Sequence, residues 1–76
     1  MKIIYKAVPN EEQAYKFIAT HGACYVDGLV EKQGGQWRGS TEVDDMGGIV
    51  HRYADTREGA ATKVVRQVLT EANRSL

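Results

Sequence analysis

The sequence predicts an α+β fold of order β-α-β-β-β-α, an antiparallel sheet with two helices packed on one face. Three observations carry that reading. Apolar residues alternate with period two from Ala23 to Val43, they recur at helical spacing from Ala61 to Ala72, and turn residues separate the segments. The 76 residues suffice for one hydrophobic core, so a single domain over 1–76 is expected.

Lys2 to Val8 is rich in β-branched and aromatic residues and stops at Pro9, which reads as a first strand. Pro9-Asn10 then opens a predicted helix. Asn10 caps it, Gln13 stands at the capping-box position, and Glu11 and Glu12 suit the positive end of the helix dipole. Its apolar stripe is Ala14, Phe17, Ile18 and His21, and Gly22 stops it. In the next strand Cys24, Val26, Gly28 and Val30 share one face, while Tyr25, Asp27, Leu29 and Glu31 share the other.

Lys32-Gln33-Gly34-Gly35 is hairpin-turn chemistry, because adjacent glycines allow positive φ without steric cost. Gln36 to Val43 forms the returning strand, with Trp37, Gly39, Thr41 and Val43 together and Trp37 as the expected core anchor. An acidic loop, Asp44-Asp45-Met46-Gly47-Gly48, leads to a strand over Ile49 to Ala54 that puts Ile49, His51 and Tyr53 on one side. Asp55 is the expected cap of the last helix, with Glu58 completing the box. Ala61, Val64, Val65, Val68, Leu69 and Ala72 form its apolar stripe to about Arg74.

Ten Lys and Arg balance ten Asp and Glu, so no overall field draws the chain to nucleic acid or to an anionic membrane. The single Cys24 makes no intramolecular disulfide, which favours a reducing cytoplasm. MKIIYKAV lacks the apolar core of a signal peptide, and no run approaches the roughly 18 apolar residues of a membrane span.

No complete catalytic or metal-binding set is legible. His21, His51 and Cys24 lack the spacing of a tetrahedral site, so neither metal nor cofactor is expected. A Cys24–His51 pair on neighbouring strands is the one conceivable thiol nucleophile, against which Cys24 reads as a small buried hydrophobe beside Val26 and Val30. The glycine pairs do not follow either phosphate-loop order.

Three surface features are candidates for contact. Glu42, Asp44 and Asp45 make an acidic strand end and loop. Tyr25 and Leu29 lie on the sheet face opposite Val26, where helices do not cover them. Lys63, Arg66 and Arg74 give the last helix a basic side suited to phosphates or to an acidic protein patch.

The α-β-β-β-α order from Asn10 onward resembles the double-stranded RNA-binding domain, and DTREGAATKVVRQVL (Asp55 to Leu69) resembles the last helix of that family. The strand followed by DTREGA is similar to HicB-type antitoxins, where a β-meander leads into such a helix. By type, a short, charge-balanced chain without an active site resembles phage-encoded inhibitors such as anti-CRISPR proteins, which implies blocking a site on a larger complex with acidic side chains that mimic phosphate.

The expected function is therefore non-enzymatic protein binding, an inhibitor acting on a larger protein or nucleoprotein complex through Glu42, Asp44, Asp45, Tyr25 and Leu29. The alternative is nucleic-acid binding through Lys63, Arg66 and Arg74. The chain is expected to be a monomer or weak dimer with no membrane association.

Overall fold

Lys2–Ala7 forms β1, and the chain then turns into a second strand, β2 (Ala14–His21), where the sequence pattern predicts a helix. Strands β3 (Cys24–Gln33), β4 (Gln36–Val43) and β5 (Gly48–Ala54) follow, and one helix, α1 (Arg57–Arg74), ends the order. This computed structural model describes the backbone of residues 1–43 and 48–74 and the side chains of residues 1–41 and 49–71. The five strands run antiparallel in the order β1-β2-β3-β4-β5. The α+β class holds, but among the described residues a single helix packs on the sheet in place of the two expected, and the order is β-β-β-β-β-α. The α-β-β-β-α order that resembles the RNA-binding domain is thus not the order of this chain.

Why 14–21 is a strand follows from what each pattern would bury. The helical stripe would bury Ile18 and His21 along with Phe17, yet both are exposed. The strand instead turns Tyr15, Phe17 and Ala19 inward with period two, and Phe17 and Ala19 become core residues. Every residue of β2 pairs with β3, and six residues pair with β1, so the segment is a central strand of the sheet. A helix of about three turns is marginal on its own in water, whereas this strand completes two ladders rich in Tyr, Phe, Ile and Thr. Pro9-Asn10 is a turn signal: Glu11 N–H donates to Val8 C=O at 3.3 Å, and Asn10 has φ of 66°. Pro at the first central position and a left-handed residue at the second are the signature of a type II turn.

Two tight hairpins fix the register of the next strands. His21 pairs with Cys24 around Gly22 (φ 61°), and Gln33 pairs with Gln36 around Gly34 (φ 62°). In both, only the first central residue takes positive φ, the type II′ pattern whose twist matches the strands.

Helix α1 lies across β3, β4 and β5 and seals one face of the sheet. Phe17, Ala19, Val26 and Val30 meet Ala60, Ala61, Val64 and Val65 in the core. Phe17, Val30, Val64 and Val65 are the largest fully buried side chains, each worth roughly 1.5–3 kcal/mol of burial. Trp37 is only half-buried at the core margin, 6.1 Å from the Tyr15 ring, so Phe17 takes the anchoring place expected of it. Cys24 is likewise exposed rather than part of the core. The helix is capped by Thr56, whose Oγ1 accepts from Gly59 N–H at 2.9 Å, one residue later than the expected Asp55.

Candidate binding surface

The alternation that sends Phe17, Val26 and Val30 toward the helix sends their neighbours to the other face, which no element covers among the described residues. Ile4 and Ile18 stand directly opposite each other there on β1 and β2, 57% and 42% exposed. Tyr25, Ile49 and Tyr53 are also exposed on this face, at 62%, 58% and 47%. Leu29 is half-buried between Lys16 on β2 and Ser40 on β4, its register partners. The solvent face of an antiparallel sheet is ordinarily polar, so this concentration of large apolar side chains is unusual for a small domain.

The polar groups of this face are unevenly arranged. Lys6 and Lys16 are direct cross-strand partners, Lys2 lies one alternation beyond Ile4, and none of the three has an ion pair among the described residues. Farther across, Arg38 donates to its cross-strand partner Glu31. Between these groups the sheet opens slightly: the β3–β4 ladder ends at Leu29 and Ser40, and beyond it the Thr41 hydroxyl donates to the Asp27 carbonyl. A shallow depression forms there, lined by Lys16, Asp27, Leu29, Ser40 and Ile49.

A second concavity lies at the start of α1, beside Tyr15, Trp37 and Arg57. The Arg57 guanidinium sits 4.1 Å from the Tyr5 ring centroid and 4.6 Å from that of Tyr15, while its Nε donates to Glu58 at 2.7 Å. Burial pushes the Tyr5 phenol above its ordinary pKa, helped by the negative charge of Glu58 and opposed by Arg57. The hydrogen bond from Arg57 holds the Glu58 carboxyl below the usual carboxylate range.

The candidate residues fall into separate regions. Tyr25 and Leu29 lie on the uncovered face. Glu42 pairs in backbone register with Ile49, its side chain lying outside the described residues, as do Asp44 and Asp45 entirely. Lys63 is exposed on α1, but its Nζ donates to the Tyr53 carbonyl at 2.9 Å. Arg66 is exposed, and the side chain of Arg74 is outside the described residues. The basic side of α1 and the uncovered face are therefore on opposite sides of the sheet.

Cys24 and His51 are not brought together, since His51 shares the uncovered face with Leu29 and Cys24 shares the other with Val26. Among the described residues no three His, Cys, Asp or Glu side chains form a group that could hold a metal ion, and no helix is long and apolar enough to cross a membrane. Ile4, Lys6, Lys16 and Ile18 are the surface residues that sequence reasoning missed. The signal for two of them was the period-two reading of AYKFIATH, which the helical reading displaced.

The chain matches no family model, no curated protein and no solved structure.

Proposed function

We propose that the protein is a non-enzymatic protein-binding module whose contact surface is the uncovered face of the sheet. The observation that supports this most is the set of large apolar side chains there, Ile4, Ile18, Tyr25, Ile49 and Tyr53, exposed opposite a face that α1 already seals. Removing such side chains from water on a partner is favourable at roughly 25 cal/mol per Å², and Tyr in particular supplies contact area at small entropic cost. Leu29 and the shallow depression beside it give the centre of the face some relief. A binding face on a domain of this size would act by covering a site on a larger protein or nucleoprotein complex, as an inhibitor does.

Site-specific photo-crosslinking in the host cell tests the reading. A photoreactive residue at Tyr25 or Ile49 is expected to capture a discrete protein partner, and one at Arg66 on the outer side of α1 is not. Crosslinks to protein or nucleic acid at Arg66, with none at Tyr25 or Ile49, would transfer the function to the helix. A crosslinked species of twice the chain mass would make the face a self-association surface.

A further inference from the structure

The sheet has two open edges, and they are not equivalent. On β5, the carbonyls of His51 and Tyr53 already accept hydrogen bonds from Arg52 and Lys63 side chains, at 2.6 and 2.9 Å. On β1, no side chain among the described residues is bonded to a backbone group. β1 pairs with β2 on one side only, leaving alternate backbone N–H and C=O groups facing outward. An edge of that kind is a template for another strand.

The side chains on β1 specify which strand. Lys2, Ile4 and Lys6 alternate onto the uncovered face, and behind them on β2 stand Thr20, Ile18 and Lys16. Directly opposite residues on an antiparallel pair hold their Cβ atoms ~4.5–5.5 Å apart, where like charges are destabilising. The Lys6–Lys16 pair is such an arrangement, with no carboxylate within ion-pairing distance among the described residues. Edge lysines alone would serve to keep other strands away. Lys16, however, is on the second strand, where blunting the edge does not require it. Asp27 lies nearby, across from Ile18, and Glu11 and Glu12 lie in the β1–β2 loop, yet none of them pairs with either lysine.

A second copy of this chain does not fit. Two β1 strands pairing antiparallel about Ile4 would set Lys2 against Lys6 twice over, adding repulsion to an already positive edge. A single-stranded nucleic acid is also disfavoured, because the apolar groups among the lysines are isoleucines. The exposed Tyr25 and Tyr53 stand at opposite ends of the face, too far to stack successive bases beside them.

We infer that the β1 edge receives an extended segment of a partner protein by strand addition, and that this segment carries an acidic, an apolar and an acidic residue at positions i, i+2 and i+4, which share one face of the strand. Its carboxylates meet Lys2, Lys6 and Lys16 on the uncovered face, and an apolar residue between them covers Ile4 and Ile18. This rests on the protein-binding reading and names the partner's chemistry.

The probe is a synthetic peptide, acetyl-Thr-Glu-Thr-Ile-Thr-Glu-Thr-amide, whose two Glu and Ile share one strand face, titrated into the isotopically labelled protein and followed by amide NMR and hydrogen exchange. Binding is expected to shift and protect alternate amides of Lys2 to Ala7, to weaken with added salt, and to weaken about tenfold or more in Lys6→Glu/Lys16→Glu. Lys6→Gln/Lys16→Gln is expected to fall between, with neither variant melting below the parent and the Gln pair, relieved of the like-charge repulsion, melting slightly above it. The same peptide with Lys for Glu, or with Ser for Ile, is not expected to bind.

The inference is overturned if the Glu-Thr-Ile-Thr-Glu peptide causes no shift at about 1 mM, a concentration at which even weak binders of millimolar Kd show. It is also overturned if the shifts map to β5 or α1, or if an oligothymidylate binds the same lysines more tightly than the peptide. Loss of the peptide result with survival of the Tyr25 and Ile49 crosslinks removes the edge alone. Loss of both removes the protein-binding reading itself.

Discussion

Phe17 and Gly28 face each other across β2 and β3, and the ring of Phe17 occupies the space that a side chain at position 28 would need. A Cβ built on Gly28 falls 2.6 Å from Cζ of Phe17 and against the Ser40 carbonyl oxygen. Both are contacts that no rotamer of a small side chain avoids. Gly28→Ala is expected to destabilise the fold by about 1–3 kcal/mol, as overpacking does, read as a lower urea midpoint at unchanged m-value. Shortening the ring with Phe17→Leu removes one of the two clashes, so the double variant is expected to lose less than the sum of the singles.

Gly39 sets how closely α1 approaches the sheet. A Cβ there falls 2.8 Å from the Ala60 carbonyl oxygen and 2.9 Å from Cγ2 of Val64. Gly39→Ala is expected to push the helix outward at a cost of about 1–3 kcal/mol. The half-buried Trp37, two residues away on the same face, should report it as a red-shifted emission. Gly35→Ala is the control: nothing lies within 4 Å of its Cβ position and its φ is not positive, so this change is expected to be neutral or slightly stabilising.

At the start of α1, Thr56 and Asp55 compete in sequence for the cap, and the structure separates them. The Thr56 Oγ1 accepts from Gly59 N–H, and the Ala60 amide bonds the Thr56 carbonyl at 3.0 Å. Thr56→Ala is expected to cost about 1 kcal/mol, whereas Asp55→Ala, without a capping bond, should stay within about 0.5 kcal/mol. Thermal denaturation of the two variants side by side decides it, and equal losses would contradict the assignment.

What the sequence made legible follows from where one periodicity had no competitor. The hairpin from Cys24 to Val43 alternates cleanly around Gly34-Gly35, so the faces of Tyr25, Leu29, Val26 and Val30 could be read correctly. The terminal helix likewise announced Val64 and Val65. At Ala14 to His21 two periods coincide, because Phe17 belongs to both, and Pro9-Asn10 with the two glutamates after it imitates a helix start. Those residues build a turn instead. What decides for the strand is non-local: β1 and β3 both need a partner, and only pairing with both buries Phe17 between them. The same misreading hid Ile18 and Lys16, and with them the uncovered face. Trp37 is not the core anchor despite its size, because its position opposite Lys32 and Ala54 places it at the end of the sheet, beside the entry to α1.

The stack of Tyr5, Arg57 and Tyr15 gives the protein a defined pH response through two groups shifted in opposite directions. The Tyr5 phenol is raised, chiefly by burial, so the folded state keeps its proton at pH values where the unfolded chain gives it up. That contribution is complete below the ordinary tyrosine range and is lost as pH rises through the raised value. Glu58 is lowered by the Arg57 hydrogen bond, so its contribution is present above the ordinary carboxylate range and is lost as pH falls through the lowered value. Its carboxylate is largely in solvent, so the acid loss is small and shrinks with salt. Glu58→Gln separates the two effects. It removes the negative charge that helps raise Tyr5 while leaving the ring as buried as before, so the Tyr5 midpoint, followed by NMR of its ring carbon Cζ, is expected to move down toward the ordinary value without reaching it. The acid limb of stability should flatten in the same variant. An unchanged Tyr5 midpoint would mean that the Glu58 charge does not act on the ring, leaving burial as the whole cause.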